Sequence, residues 1–156
     1  MLQQISDSTQ LQFAVGLGIG LAGVAFMQWS NRGPSGPLSP ETAPKLRGFT
    51  REELKAFDGT NGGPVYMSVK RRVYSVAPNF YGVDGPYACF AAKDSSRNLG
   101  KSLVSDTEAN ADWTTLSEAH IDVLNDWDEK FRMKYETVGW YVPDELYYQR
   151  AATFMP

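Results

Sequence analysis

From Leu11 to Trp29 the chain runs for nineteen positions, LQFAVGLGIGLAGVAFMQW, with two glutamines as its only strongly polar residues. An α-helix needs about 20 residues to cross a hydrocarbon core, so this run has the length of one membrane span. Trp29 closes it where an aromatic ring would sit at headgroup level. No Lys or Arg precedes the run, which argues against a cleaved signal peptide and against an amphipathic presequence. The expectation is a short segment 1–10 and a single transmembrane helix over residues 11–29; a removed segment, or one buried in protein, is the other reading. Gly16 and Gly20 make a GxxxG pair, and Ala14, Gly18 and Ala22 repeat the spacing on an adjacent strip. Small residues let a second helix approach closely, so this surface suits other transmembrane helices or, equally, a lipid anchor with no partner. Only Asp7 precedes the run, whereas Arg32, Lys45, Arg47 and Arg51 follow it. The positive-inside rule therefore puts the rest of the chain on the cytosolic or matrix side.

Residues 30–48 hold four prolines and three glycines in nineteen positions, a composition that packs no core and reads as an extended tether. What remains is long enough for one globular domain. From Phe49 on, 12 basic against 16 acidic residues leave it net −4, which opposes a polyanion and excludes nucleic acid as a partner. The single cysteine, Cys89, excludes an internal disulfide and a multi-cysteine metal site. The single histidine, His120, excludes any His pair on a metal or a haem. Cys89 reads as a small buried filler and His120 as a surface residue.

Thr50 and Glu53 have capping-box spacing ahead of Leu54 and Phe57, with Phe49 placed to staple onto Leu54. A short helix to about Phe57 is expected, stopped by Asp58-Gly59. Val65–Val69 and Val73–Val76 read as a hairpin around Lys70-Arg71-Arg72, a turn without the usual Gly or Asn. Ser117 can cap a helix to about Lys134, on which Leu124, Trp127, Phe131 and Tyr135 share a face. A return strand and a tail, residues 143–156, with Tyr147, Tyr148 and Phe154 complete an α+β domain. Between hairpin and long helix lies NFYGVDGPYACFAAKDSSRNLG, in which Tyr81 and Tyr87 flank a Gly82–Gly85–Pro86 turn. Each of Tyr81, Tyr87 and Tyr135 could be a core aromatic with its hydroxyl bonded to backbone.

FTREELKAFDG, VYMSVKRRVYSV, FYGVDGPYACFAAKDSSRNL, LNDWDEKFRMKY and VGWY occur in this order. Together, over Phe49 to Val142, they resemble the membrane-associated progesterone receptor family, which has a cytochrome b5-like haem/steroid-binding domain. The resemblance implies that Tyr87, the tyrosine of the GPY element, is the axial ligand of a non-covalent b-type haem iron. It implies that Tyr81 lines the haem and that Lys134 and Tyr135 reach its edge. The His-Pro-Gly-Gly element of ordinary cytochrome b5 is absent, in agreement with the lone histidine. Arg71 stands where a hairpin glycine is common, Gly100 reads as a helix C-cap, and the aromatic tail has no family counterpart, serving either packing or docking.

The chemistry is coherent. A phenolate is a hard anionic donor, and tyrosinate is an established haem ligand type that favours ferric iron. Free tyrosine has a pKa of about 10, so the metal itself must drive the deprotonation. The glycine turn would let a flat macrocycle approach backbone, Ala88, Ala91 and Ala92 would leave room beside it, and Lys134 could pair with a propionate. No nucleophile–base pair is evident, so an enzyme is not expected. Two functions compete: a membrane-anchored haem protein that regulates or supplies membrane enzymes, and an accessory structural subunit of a larger membrane complex, with or without haem. A steroid ligand is a third expectation carried by the resemblance. The endoplasmic reticulum and the mitochondrial inner membrane both suit this layout.

Overall fold

Arg47–Thr50 forms β1 at one edge of a four-stranded sheet, and Glu136–Val142 forms β4 beside it, running parallel. The hairpin strands β2, Val65–Val69, and β3, Arg72–Val76, complete the order β1-β4-β3-β2, with β3 antiparallel to both neighbours. The computed structural model describes residues 45–156. The segment 1–10, the expected span 11–29 with Gly16 and Gly20, and the tether before residue 45 lie outside the described residues. Among the described residues no helix is long and apolar enough to cross a membrane.

Thr50 closes β1 and caps the short helix α1, Arg51–Leu54: its Oγ1 accepts from Glu53 N while Glu53 returns a bond to Thr50 N, the expected capping box. Phe49 and Leu54 share one buried cluster. The helix ends at Leu54, one turn short of the expected Phe57, because Asp58 instead accepts from Thr60 N and turns the chain. The β2–β3 connection is a two-residue turn, with Lys70 at φ 48° and Arg71 at φ 65°. Two left-handed residues match the twist of hairpin strands, so this pair takes a conformation usually left to Asn-Gly. Bonds from Lys70 N to Ser96 Oγ (2.8 Å) and from Lys70 Nζ to Asn125 Oδ1 (2.8 Å) hold it there.

After β3 come the single-turn helix α2, Pro78–Tyr81, a 3-10 turn at Ala88–Phe90 and the short helix α3, Ser96–Gly100. The expected C-cap role of Gly100 is corrected here: Gly100 is the last helical residue, and Lys101 is the cap. A Cβ on Gly100 would lie 2.9 Å from the His120 carbonyl and 3.4 Å from Leu124 Cβ. The glycine is therefore needed for close contact with helix α4, Glu118–Lys134, which starts at the Ser117 cap as expected. On α4, Leu124 and Phe131 are fully buried and Trp127 and Tyr135 pack beside them, as the spacing predicts. Helix α5, Glu145–Ala151, follows β4, and its Tyr147 and Ala151 are buried, so this part of the aromatic tail serves domain packing.

The sheet separates two apolar clusters. Val65, Met67, Val69, Tyr74 and Val76 pack with Phe131 and Leu124 of α4; Phe49, Val73, Val138 and Tyr141 pack with Leu54 and Tyr147. Polar groups join the loops to this frame. Asp94, fully buried, accepts from Ser68 Oγ (2.6 Å) and Ser96 N (3.3 Å), while Ser68 and Ser95 bond across β2. Arg97 is wholly buried and spends its donors on Glu108 (2.8 Å), Asp112 O (3.0 Å), Thr115 Oγ1 (2.7 Å) and Met155 O (2.8 Å). One guanidinium thus ties α3, the loop after it and the C-terminal residues together.

Candidate functional site

Pro78 at the first position of α2 presets its turn, and Gly82 ends it with a bond to Pro78 O. A Cβ on Gly82 would collide with the Pro78 carbonyl, and one on Gly85 with the Phe80 carbonyl. Both glycines are therefore required by the turn itself. The turn is pinned further by Tyr87 N donating to Phe80 O (2.9 Å). The product is a fixed pair of rings, Tyr81 and Tyr87, with centroids 5.9 Å apart.

Two residues of α4 and its C-cap complete the wall. Tyr81 lies 6.2 Å from both Phe131 and Tyr135, and Phe131 lies 5.2 Å from Tyr135. Tyr87 is parallel to Phe90 at 6.1 Å. Lys134 Nζ sits 5.6 Å above the Phe80 ring and 5.3 Å from the Tyr135 ring. The structure thus brings Tyr81, Tyr87, Lys134 and Tyr135 to one face of the domain. Phe80 and Trp127, also half-buried there, were not singled out as site residues. Trp127 was already on the predicted helical face, and Phe80 adjoins Tyr81, so the position beside the turn was the available signal.

The tyrosines differ in their electrostatics. Burial pushes the Tyr81 hydroxyl well above the usual tyrosine range, with the neighbouring Tyr135 adding to the effect. Burial pushes Tyr135 up to about 12, although a hydrogen bond shared with Tyr81 works the other way. Tyr81 is the buried member of the three, and Tyr87 and Tyr135 are both half-buried. Burial also lowers the Lys134 pKa.

Ala88, Ala91 and Ala92 line a cleft of about 470 Å³ with Arg51, Lys55, Asp58, Lys93 and Arg150, and Ala91 also packs in the buried cluster that holds Tyr81 and Phe90. The KDSSR stretch is likewise structural, as Asp94 and Arg97 show. His120 is half-buried, its Nδ1 3.0 Å from Ser117 Oγ, and Cys89 is half-buried rather than interior, its thiol pKa raised by burial. Among the described residues no group of three or more His, Cys, Asp or Glu is arranged to hold a metal ion.

No protein-family model matches the chain. It is 42% identical over 94 residues to "Probable steroid-binding protein 3" of Arabidopsis thaliana, covering 58% of this chain and 94% of that protein. It is 34% identical over 143 residues to "Cytochrome P450 regulator dap1" of Schizosaccharomyces pombe, covering 85% and 84% respectively. Over 127 residues it is 30% identical to "Membrane-associated progesterone receptor component 2" of Rattus norvegicus, of which it spans 58%. A solved structure of an Arabidopsis thaliana hypothetical protein, described as having a cytochrome b5 like fold, superposes with a TM-score of 0.58 at 38% identity. That match covers 67% of this chain and 99% of the neighbour.

Fold and likeness together define a cytochrome b5-like α+β domain. Two of these relatives are covered over most of their length at more than 30% identity, and the chain belongs to the membrane-associated progesterone receptor family.

Proposed function

We propose that this chain is a membrane-anchored haem-binding protein that acts as a regulatory partner of membrane enzymes, cytochromes P450 first among them. The partner class comes from the relative named as a cytochrome P450 regulator. One observation carries the site: Tyr81, Tyr87, Phe131 and Tyr135 gather in one aromatic cluster with Lys134 at its edge, and Tyr87 is a partly buried member of it.

The residues present fit a haem. Tyr87 would hold the iron through a hard oxygen donor of a recognised haem-ligand type. Tyr81, Phe131 and Tyr135 give a rigid aromatic wall, and Lys134 supplies a cation at its rim, suited to a propionate. A bound ferric haem held by the Tyr87 oxygen would supply iron chemistry at a low reduction potential. The protein's own part is to orient the Tyr87 phenol, exclude water on the Phe131 side and keep the Tyr81 proton in place. That division suits storage, transfer or regulation better than rapid electron shuttling.

The test is the absorption spectrum of full-length protein purified from membranes of cells supplied with haem. A ferric Soret band at about one haem per chain is expected. Protein recovered folded, but without a Soret band even after added ferric haem, overturns the proposal. The steroid reading rests on the name of the plant relative and would use the same apolar face, so it predicts competition between a sterol and haem in that titration.

A further inference from the structure

We propose that the cleft of about 470 Å³ lined from α1, the Ala88–Phe90 turn and α5 binds a small organic phosphate monoester. The haem reading is not needed for it, since none of Tyr81, Tyr87, Lys134 and Tyr135 lines the cleft. Four cations, Arg51, Lys55, Lys93 and Arg150, line it together with two carboxylates, Asp58 and Asp106. The stretches that supply them lie far apart in the chain, so the fold, and not a local basic run, gathers the charge.

Most of this charge is neutralised locally, but that of Arg150 is not. Arg51 gives Nη2 to Asp144 (3.0 Å), Lys55 gives Nζ to Glu52 (2.8 Å) and Lys93 lies 3.5 Å from Asp106. Asp58 accepts from Thr60 N (2.9 Å), and the neighbouring buried acid, Asp94, is taken up by Ser68 and Ser96. Arg150 pairs with no carboxylate among the described residues; its Nη2 donates to the carbonyls of Thr107 (3.4 Å) and Ala109 (3.0 Å). The Nε groups of Arg51 and Arg150 are both buried without a hydrogen-bond partner. Buried donors in folded proteins are nearly always satisfied, so two of them at one cleft point to an anionic acceptor there.

Asn110, which also lines the cleft, adds a neutral donor. Its Oδ1 accepts from Asp94 N (2.9 Å) and from the Tyr141 hydroxyl (3.4 Å), which fixes the amide and leaves Nδ2 to donate. Ala92 and Asn110 both hold left-handed backbone, at φ 60° and 53°, a strain that concentrates at functional sites. Between the charges, Ala88, Ala91, Ala92 and Ala109 offer only methyl groups, against which an apolar body can lie. The volume falls within the range of small-molecule sites, about 300–1,000 Å³. One guanidinium fork satisfies a carboxylate, whereas a phosphate monoester, with its second charge and third oxygen, can engage both arginines and Lys93.

The test is a titration of the full chain, in zwitterionic detergent, with phenyl phosphate, followed by phosphorus NMR of the probe. Saturable binding with a dissociation constant of about 1 mM or tighter is expected, and inorganic phosphate should bind about threefold more weakly or worse, because it cannot use the alanines. Arg150→Gln and Lys93→Gln should each weaken phenyl phosphate about fivefold or more. Lys130→Gln, whose ammonium lies over Trp127 on α4, should leave it within about twofold. Circular dichroism checks that each variant is folded; if Arg150→Gln is not, Lys93→Gln decides. No saturation by about 10 mM, or full affinity in the folded cleft variants, overturns the proposal. Equal affinity for inorganic phosphate overturns the organic class, and binding only to vesicles of phosphatidic acid overturns it in favour of a lipid headgroup. The haem reading stands or falls separately on its Soret band, whichever way the phosphate titration comes out.

Discussion

Asp94 gives the sharpest stability prediction. Its carboxyl is wholly buried, and burial outweighs the bonds from Ser68 and Ser96, raising its pKa to about 6. In the unfolded chain it would titrate near 3.9. A folded pKa above the unfolded one means stability that is fully present below about pH 4 and is lost as pH rises through about 6. A gap of about two units amounts to about 3 kcal/mol. Glu52, Glu53 and Asp58 act in the opposite sense, since hydrogen bonds from Lys55, Thr50 and Thr60 hold their pKa values low. A raw pH profile mixes these effects, and Asp94→Asn isolates one of them. Urea unfolding of residues 45–156 and of the Asp94→Asn variant should be followed by circular dichroism at pH 4 and pH 7.5. Stability of the parent minus that of the variant should fall by about 3 kcal/mol between the two, a relative midpoint shift of about 1–3 M urea. A difference that stays flat with pH would refute the claim that burial controls this carboxyl.

Three further outcomes follow from the packing. Arg97→Met should cost about 1–3 kcal/mol, because the buried bonds to Glu108, Asp112 O, Thr115 and Met155 O are lost while Lys101 still holds Glu108 and the Met155 carbonyl; a loss under about 0.5 kcal/mol in urea melts contradicts the hub role. Arg71→Gly should stabilise by about 1 kcal/mol by relieving a left-handed residue, seen as a rise of about 4 °C in Tm. Gly139→Ala should loosen β1, because its Cβ would collide with the Arg47 carbonyl across the parallel pair; a loss of about 3 kcal/mol with faster amide exchange at Phe49 is expected, and unchanged exchange speaks against it.

The elements legible in the sequence were those set by local rules. The Thr50–Glu53 box, the alternating strands β2 and β3, the Ser117 cap and the Leu124–Tyr135 face each follow from neighbours within one or two turns. The hairpin turn was harder, since Lys70 and Arg71 reach φ values that their side chains disfavour, and the compensating bonds come from Ser96 and Asn125, far along the chain. Gly100 resembled a cap because glycine commonly ends helices, yet its role is set by the His120 carbonyl of another helix. Ala88, Ala91 and Ala92 read as space beside a cofactor, and the fold adds that they line a cleft with Arg51 and Arg150. Arg97 gave no sign of its four distant partners, because a buried arginine looks like a surface one until the tertiary fold exists. The aromatic face was legible in its members, Tyr81, Tyr87, Lys134 and Tyr135. Their contacts with Phe131 and Phe80 were not, because these depend on the tertiary fold.

Tyr87 is the residue on which the proposed haem site depends. Ferric haem titrated into full-length protein and into Tyr87→Phe, Tyr81→Phe and Tyr135→Phe variants, with resonance Raman detection of phenolate–iron modes, tests it most directly. Phenolate modes are predicted for the parent and for the Tyr81 and Tyr135 variants, and should be missing in Tyr87→Phe while its circular dichroism is unchanged. Phenolate modes that survive in Tyr87→Phe, or are lost only in Tyr135→Phe, would contradict the assignment.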